Sequence, residues 1–527
     1  MSTVFRMDSL QLIFIFVLFF RFGLATCPEK CQCFNGTKAV VCTGLQSIPK
    51  FDNESEIRIL EILDSNFTTI KKNDLSSLTK LSVLDINRGI LTTLESGCFD
   101  SFRETVTEFR LVNHSLTEIP ERMFSSMPNL MTINLDFNKL QSLKENTFAN
   151  LPKLNKIYIE HNNLLVFNSS AFTDVSSVSG SLMIYASNNK IQSLDFPNPY
   201  DIKNLQSLEL SNNNISVLRS FKFLGLPHLQ ILSLENNSID TIQSDAFASN
   251  SLGYSILIQL NLADNKIGDT SIGVFKRLLS LTFLDLSGNY LTHITDDTFK
   301  GMTTLGSLYL NFMPYLESIG DYAFMDHYQL KLVQISNNPK LNFISPKAFW
   351  HIKDLRTVLL NNNSLTTFSE NLIHWDSVDK VQLSSNPIRC DCNLRWMTDP
   401  SVFHNNTNVI DEIKSLVCAS PEEHSNRKVV LVDYGAMQCG KLLDERESYW
   451  TRAKLGLLVA GLTCLCLTIV AIIIRFQRKI RISCHHYFQY RRFMNEKIFT
   501  VETETGLVES DLEEEEMIVT RREEIVC

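Results

Sequence analysis

The sequence lacks an excess of basic residues, and it lacks the short motifs of many common enzyme classes. Its formal net charge is −9, which disfavours nucleic acid as a partner. It contains no His-Glu-x-x-His, no Gly-x-Ser-x-Gly and no phosphate-binding glycine loop. The run Cys484-His485-His486 has no second pair of metal ligands beside it. We therefore expect no enzyme, no cofactor and no metal site.

The middle of the chain is almost without cysteine. Of 13 cysteines, only Cys98 lies between Cys42 and Cys390. Two groups of four flank this gap, namely Cys27, Cys31, Cys33 and Cys42, and Cys390, Cys392, Cys418 and Cys439. Cysteines grouped at both ends of a long segment favour an oxidising compartment and disulfides over a zinc site, but the connectivity stays open. Cys98 is either a buried free thiol or part of an intermolecular disulfide. The equivalent places in other repeats hold small residues, which favours the buried free thiol.

A nine-residue pattern fills the gap between the two cysteine groups. It reads Leu-x-x-Ile-x-Leu-x-x-Asn in residues 130–138, and a near-copy recurs about every 24 residues. We number its positions from the first apolar residue, so that positions 1, 4, 6 and 11 are apolar and position 9 is asparagine. The asparagine is present in ten copies, at Asn138, Asn162, Asn189, Asn213, Asn237, Asn265, Asn289, Asn338, Asn363 and Asn386. Such a period and pattern indicate leucine-rich repeats.

The register of the pattern assigns each residue to a side. In a strand, positions 4 and 6 point inward, whereas positions 3, 5 and 7 point outward onto the concave face. A buried asparagine carries a donor and an acceptor, so it can pair with the backbone of its own and adjacent turns. We therefore predict an α/β repeat solenoid, a leucine-rich-repeat horseshoe with a parallel concave β-sheet.

About fourteen repeats occupy residues 57–388. They begin near Ile57, Leu81, Val106, Leu130, Leu154, Ser181, Leu205, Leu229, Leu257, Leu281, Leu305, Leu330, Leu355 and Val378. Four repeats replace the asparagine, by Ser65, Gly89, His114 and Met313. A phenylalanine column follows ten or eleven places later, and we interpret it as a buried spine on the convex side. Its members are Phe99, Phe124, Phe148, Phe172, Phe223, Phe247, Phe275, Phe299, Phe324 and Phe349.

Two apolar runs place the repeats outside a membrane. Residues 1–25 have the charged start, apolar run and small-residue end of a secretory signal, which favours cleavage before Thr26 over a signal anchor. Residues 455–474 are twenty uncharged residues, long enough for one transmembrane helix. The basic flank that begins at Arg475 places the C-terminal side in the cytoplasm. We therefore expect a single-pass type I protein of the plasma membrane with an extracellular solenoid.

The two cysteine groups resemble known caps. The spacing Cys-x3-Cys-x-Cys-x8-Cys in residues 26–56 is similar to the N-terminal cysteine cap of extracellular leucine-rich-repeat proteins. Cys390-x-Cys392 followed by Leu394-Arg-Trp396, in residues 389–440, resembles their C-terminal cap, with Trp396 over the last repeat. The capped repeats and the single span together resemble the leucine-rich-repeat transmembrane receptors and adhesion proteins of animal cell surfaces.

That resemblance implies recognition of an extracellular protein, with the cytoplasmic tail recruiting adaptors. The alternative is a structural adhesion or matrix-organising protein whose tail is dispensable. Residues 441–454 would form a stalk, and the tail, 475–527, is basic up to residue 497 and then acidic, so we expect disorder there. Its end, with Ile525 and Cys527, suits a PDZ domain that binds a terminal strand.

Nine Asn-x-Ser/Thr sequons all lie before the predicted span, as the topology requires. They are Asn35, Asn53, Asn66, Asn113, Asn168, Asn214, Asn236, Asn362 and Asn405. None falls at positions 3, 5 or 7. These outward positions carry tyrosines, carboxylates and amides in two groups of repeats, and such residues suit protein contact. We therefore predict ligand binding through Asn134, Asp136, Tyr158, Glu160, Asn261, Asp285, Tyr309 and Asn311.

Overall fold

The computed structural model describes residues 27–51, 56–175, 181–197, 199–248, 255–404, 406–435 and 437, together with Ile469, Ile472 and Arg475. By its internal contacts the chain divides into two units, Met1–Asp433 and Tyr434–Cys527. All of the repeats lie in the first unit.

Several predicted features lie outside the described residues. These are the signal segment, the stalk, Cys439, Asn53 and Asn405, and also the tail apart from Arg475. The predicted span is described only at Ile469 and Ile472, which are helical. Within the described part of the chain, no helix combines the length and hydrophobicity needed to cross a membrane.

One continuous sheet of 16 strands runs through the first unit. The first two strands pair antiparallel as a hairpin, and the other fourteen follow in chain order, each parallel to the one before it. The strands are Cys31–Phe34, Ala39–Thr43, Ile59–Leu63, Val83–Asn87, Glu108–Val112, Thr132–Asn134, Lys156–Tyr158, Leu182–Tyr185, Leu205–Glu209, Ile231–Ser233, Gln259–Asn261, Phe283–Asp285, Ser307–Tyr309, Leu332–Gln334, Thr357–Leu359 and Lys380–Gln382. We number the repeats one to fourteen by the last fourteen strands. The predicted parallel solenoid is confirmed.

The opposite side of the repeats carries short strands, turns and 3-10 helices. The strands pair in parallel as Thr69–Ile70 with Thr93–Leu94, Val166–Asn168 with Ser193–Asp195, Val217–Leu218 with Thr241–Ile242, and His293–Ile294 with Ser318–Ile319 and Phe343–Ile344. The 3-10 helices are Asp100–Phe102, Ser169–Phe172, Pro199–Ile202 and Asp269–Arg277. The described repeats therefore form a β-solenoid, and the prediction of an α/β repeat is corrected. A period of about 24 residues leaves little room for a helix, since an average α-helix alone takes about 11–12 residues.

The asparagine at position 9 links each repeat to the repeat before it. The Asn138 side-chain nitrogen, Nδ2, donates to the carbonyl oxygens of Leu111, Leu135 and Asp136 at 2.8, 3.0 and 3.2 Å. Its Oδ1 accepts the N–H of Leu116 at 3.2 Å. Leu111 and Leu116 belong to repeat three, so one amide satisfies backbone groups in two turns. The same pairing, with at least one bond donated and one accepted, occurs at Asn162, Asn189, Asn213, Asn237, Asn265, Asn289, Asn338, Asn363 and Asn386.

In the first three repeats Ser65, Gly89 and His114 occupy the position of this asparagine, and their side chains fit together by size. His114 Nε2 lies 3.0 Å from the carbonyl oxygen of Ile86, the group that an asparagine amide would reach. Burial lowers the pKa of His114 and so favours its neutral form. Because a carbonyl oxygen can only accept, Nε2–H is the donor in this hydrogen bond. A Cβ on Gly89 would lie 2.6 Å from Ser65 Oγ and 2.9 Å from His114 Cε1. The glycine is therefore required to admit the longer histidine.

The phenylalanine column is a buried, stacked spine, as predicted. All ten side chains are buried, and neighbouring rings that the structure pairs have centroids 4.8 to 6.1 Å apart. Repeat six has no member in the predicted column. There Phe196 fills the place, 5.9 Å from Phe167 and 6.3 Å from Phe223. The column supplies much of the apolar burial that no single repeat could achieve alone.

Disulfides close both ends of the solenoid, as predicted. They join Cys27 to Cys33, Cys31 to Cys42, and Cys390 to Cys418. Cys392 is also disulfide-bonded. Cys98 is a buried free thiol, and burial raises its pKa to about 12. Such a thiol is inert at neutral pH, because the thiolate is the reactive form.

A helix, Thr407–Ser415, pairs with backbone groups that follow the last strand of the sheet. A sheet edge presents unpaired backbone groups that need cover. The Glu412 carboxylate accepts the N–H of Leu383 at 2.7 Å and of Ser384 at 3.1 Å. The remaining 3-10 helices of this end are Cys392–Thr398, Pro400–Phe403, Glu422–His424 and Val429–Leu431.

Removing one ladder amide should destabilise the solenoid strongly. Asn265 is 3% exposed, donates three hydrogen bonds and accepts one from Ile239. We expect Asn265→Ala to lower the free energy of unfolding by roughly 2–4 kcal/mol, because buried backbone groups lose their partners. Urea denaturation measures this loss. The control is Lys266→Ala, the next and exposed residue; an equal effect of both substitutions would contradict the role of the ladder.

Candidate functional site

The concave face is the candidate site, and the strands define it. Side chains at positions 3, 5 and 7 project from it, and position 8 forms its rim. The strand register places position-5 residues of adjacent repeats side by side, as Asn134 beside Tyr158 and Tyr158 beside Tyr185. Asn261, Asp285 and Tyr309 are neighbours in the same way. The eight predicted residues thus form two clusters, in repeats four to five and nine to eleven.

In repeats four and five, two of the predicted residues accept hydrogen bonds from backbone N–H groups. Asn134 Oδ1 accepts the N–H of Asp136 at 2.8 Å, and Asp136 Oδ1 accepts the N–H of Glu160 at 2.7 Å. Asp136 is 9% exposed. The Tyr158 ring instead stacks on Tyr185, with centroids 4.7 Å apart and planes at 6°. Tyr158 and Glu160 are half-buried and reach solvent, whereas Asp136 is buried.

In repeats nine and ten, Asn261 and Asp285 make the same local turn. Asn261 Oδ1 accepts the N–H of Ala263 at 3.0 Å, and Asp285 Oδ1 accepts that of Ser287 at 2.8 Å. Asn261 Nδ2 also donates to the Glu235 carboxylate at 2.9 Å. These side chains fix the end of their own strand and hold Glu235 in place.

In repeat eleven the two predicted residues differ in exposure. Asn311 is 6% exposed, and its Oδ1 accepts the N–H of Ser336 at 2.9 Å. Tyr309 is half-buried and lies against Phe283, with ring centroids 5.3 Å apart. Asn311 thus connects two repeats, whereas Tyr309 and Phe283 form an aromatic surface.

Position 8 is left-handed in every repeat, which the sequence analysis missed. The φ angles lie between 50° and 72° at Asp64, Arg88, Asn113, Phe137, His161, Asn188, Asn212, Asn236, Asp264, Gly288, Phe312, Asn337, Asn362 and Ser385. Asparagine, aspartate and glycine tolerate this region, whereas a bulky residue there is an outlier. The N–H of this residue donates to the next repeat, as Phe312 does to Ser336 at 3.0 Å.

Two phenylalanines nevertheless occupy this strained rim position. Phe137 is 50% exposed and Phe312 is 64% exposed. Phe137 stacks on His161, with centroids 4.2 Å apart and planes at 10°. The available signal was a phenylalanine at position 8 of the motif, where the other repeats have a polar residue or glycine.

The first three repeats carry charged groups at the outward strand positions 3 and 5. Arg110 Nε donates to the Glu108 carboxylate at 2.6 Å, and its Nη1 lies 3.7 Å from Asp85 Oδ2. Asp85 Oδ1 is buried and has no partner among the described residues. Burial raises the pKa of Asp85 from 3.8 to about 6; Arg110 opposes this, while Glu61 and Glu108 add to it.

Most described sequons are exposed and lie away from the strand positions. Asn35, Asn66, Asn113, Asn214, Asn236 and Asn362 are exposed. Asn168 is half-buried, and its Oδ1 accepts the N–H of Ser170 at 2.9 Å. Within the described residues, no group of three or more His, Cys, Asp or Glu side chains could hold a metal ion.

The sequence matches a family model described as Leucine rich repeat over residues 104–164, 203–252, 257–313 and 314–365. The chain therefore contains leucine-rich repeats, as predicted. No curated protein matches the sequence.

Solved structures share the fold at low sequence identity. The LRIM1/APL1C complex matches at 19% identity over 91% of this chain and 89% of that chain, with a TM-score of 0.58. The TLR13–ssRNA13 complex matches at 21% over 72% and 57%, with a TM-score of 0.55. The Toll–Spatzle complex of Drosophila matches at 19% over 75% and 53%, with a TM-score of 0.54. This chain spans just over half the length of the latter two.

The buried carboxylate of Asp85 should make stability depend on pH. Its folded pKa, about 6, exceeds its ordinary 3.8, so the ionised form costs stability above pH 6 and the cost disappears as pH falls below about 4. We expect Asp85→Asn to be more stable than the parent at pH 7, by about 3 kcal/mol, and nearly as stable as the parent near pH 4. Urea denaturation across this range measures the difference, and a variant less stable at pH 7 would refute the assignment.

Proposed function

We propose that this chain is a cell-surface receptor that binds an extracellular protein through the concave face of its leucine-rich repeats. Its short cytoplasmic tail would recruit adaptor proteins. The proposal assigns no catalytic step and no cofactor to the chain.

One observation carries the proposal, the aromatic surface on the concave side of repeats four to six. The Tyr158–Tyr185 stack and the Phe137–His161 stack lie on adjoining repeats, and both reach solvent. Aromatic side chains left at a surface add little to the core, but they are the residues that contribute most to protein interfaces. Glu160 adds a carboxylate beside them.

Protein is favoured over nucleic acid by charge. The LRIM1/APL1C and Toll–Spatzle structures are described as complexes, whereas the TLR13 structure contains ssRNA13. Binding of RNA requires lysine and arginine contacts with phosphates. This chain has a formal net charge of −9, and its concave face carries acids in most repeats. A protein ligand therefore fits this surface better than RNA.

The cellular location rests on sequence features. The signal segment 1–25, the apolar run 455–474 and sequons confined to the preceding part support a plasma-membrane protein with the repeats outside. The C-terminal Ile525 and Cys527 support a PDZ or other adaptor protein as the cytoplasmic partner.

A cell-surface binding screen tests the proposed function. Cells that display the full chain are probed with a panel of soluble ectodomains and secreted proteins. We expect at least one to be captured, and we expect Tyr158→Ala with Glu160→Ala to weaken its capture by about tenfold or more, since an interface anchor is worth about 1–2 kcal/mol or more.

The matched control is Tyr328→Ala, because Tyr328 is 57% exposed and lies outside the sheet. Surface expression of all variants should equal that of the parent. Capture that is unchanged by the double substitution, or lost equally with Tyr328→Ala, would count against binding through this part of the face.

A further inference from the structure

The concave positions of repeats eight to thirteen carry three acids, all in repeats eight to ten, and no bases. We call the residues at positions 3, 5, 7 and 8 of these repeats, within 231–362, the acidic window. Its charged members are Glu235, Asp264 and Asp285, and none of its positions holds Lys, Arg or His. The other part of the face is mixed, since Arg88 and Arg110 occupy such positions in repeats two and three.

The acids of the window lie close together. Burial raises the pKa of Glu235 and of Asp285; the carboxylate of Asp264 raises both further, and Asp285 adds to the shift of Glu235. Asn261 supplies one amide hydrogen bond to Glu235, and no described Lys or Arg offsets the repulsion acting on either carboxylate. By contrast, Arg88 pairs with Asp64 at 3.2 Å in the first repeats. A cation from outside would relieve this repulsion.

An aromatic surface adjoins these acids. Asp285 is paired in register with Tyr309, whose ring lies 5.3 Å from that of Phe283. The rim residue of the same repeat is Phe312, 64% exposed. Aromatic side chains beside carboxylates have the composition of an interface centre with a charged border.

Stability does not account for Phe312. Its backbone is left-handed, with φ 54°, and its ring buries little surface. Six repeats have asparagine at the same position, which suits this backbone better. A strained and exposed phenylalanine on the rim of the window therefore indicates a contact with something outside the chain.

The rim sequons lie at the two ends of the window. Asn236 and Asn362 begin sequons at position 8 of repeats eight and thirteen. Between them, Asp264, Gly288, Phe312 and Asn337 hold position 8 and begin none. Glycans on the two end positions would flank the window and leave its middle open to a partner.

We propose that the acidic window binds a lysine- or arginine-rich segment of a protein partner. An apolar side chain of that segment packs on Phe312, Tyr309 and Phe283, and its basic side chains pair with Glu235, Asp264 and Asp285. Arginine also suits the aromatic rings, over which a guanidinium is attracted. This assignment rests on the protein-binding role proposed above and adds the chemistry of the partner.

The test uses a phage library of random twelve-residue peptides, selected on cells that display the full chain. We expect the selected peptides to be enriched in Lys and Arg with at least one apolar residue. Their affinity should fall as NaCl rises from 0.05 to 0.5 M, because salt screens exposed charges. Peptides with the same composition in scrambled order control for unspecific adsorption.

Two sets of substitutions locate the binding. Glu235→Gln with Asp264→Asn removes charge but keeps the hydrogen-bonding groups; Asp285 is left unchanged, because asparagine there would start a sequon ending at Ser287. Phe312→Asn removes the ring and gives the rim its commonest residue, so folding is not at risk. We expect each to weaken binding of the selected peptides by about tenfold or more. The matched control is Phe221→Asn, because Phe221 is an exposed phenylalanine with the same left-handed backbone (φ 59°) but lies outside the sheet. It should leave binding unchanged.

The outcomes separate the two proposals. Selected peptides that are acidic or neutral, or that bind the window variants as well as the parent, overturn the acidic-window assignment. Phe137→Asn probes the aromatic surface of repeats four to six. Peptides whose binding is weakened by Phe137→Asn but not by Phe312→Asn overturn the acidic-window assignment, while protein binding through the concave face survives. If neither a peptide nor any ectodomain binds, both proposals fail.

Discussion

The buried asparagine amide is the interaction on which the rest of this structure depends. It satisfies carbonyl oxygens of two successive turns and an N–H of the earlier one, as Asn138 does for Leu111, Leu135 and Leu116. Backbone groups that leave a strand and enter a buried turn would otherwise be unpaired. Because the amide needs the same geometry each time, it fixes the register of the strands in the ten repeats that carry it. The Phe spine and the terminal caps then supply the apolar burial and cover the ends.

That constraint explains how much of the fold could be predicted from sequence. The spacing of leucine and asparagine was enough to predict the parallel sheet and its strand register, and the spacing of phenylalanine was enough to predict the buried spine. It did not predict the irregular start, where His114 reaches the carbonyl oxygen of Ile86 and Gly89 leaves room for it. It also led to the wrong prediction of an α/β repeat. The pattern of residues in a strand does not determine whether the segment that leads to the next strand forms an α-helix or short strands and turns.

The candidate site could be predicted only in part. The alternation of inward and outward residues along each strand correctly predicts which side chains project from the concave face. It does not predict the hydrogen-bond partners of those side chains. Asn134, Asp136, Asn261, Asp285 and Asn311 all accept a backbone N–H. The aromatic residues Tyr158 and Tyr309 remain the better contact candidates. Phe137 and Phe312 escaped notice because their significance depends on a left-handed backbone angle, which appears only in the structure.

The central claim is that the register places the partner on the concave face, and a glycan placed there tests it most directly. Glu209, at position 5 of repeat seven, is paired in register with Tyr185 and precedes Leu210 and Ser211, so Glu209→Asn creates a sequon beside the aromatic surface. A mobility shift first shows that the displayed protein carries this glycan, and the measurement is its capture of a partner from the ectodomain screen. We expect glycosylated Glu209→Asn to lose capture and Glu209→Ala to keep it. Full capture by the glycosylated variant would contradict the account.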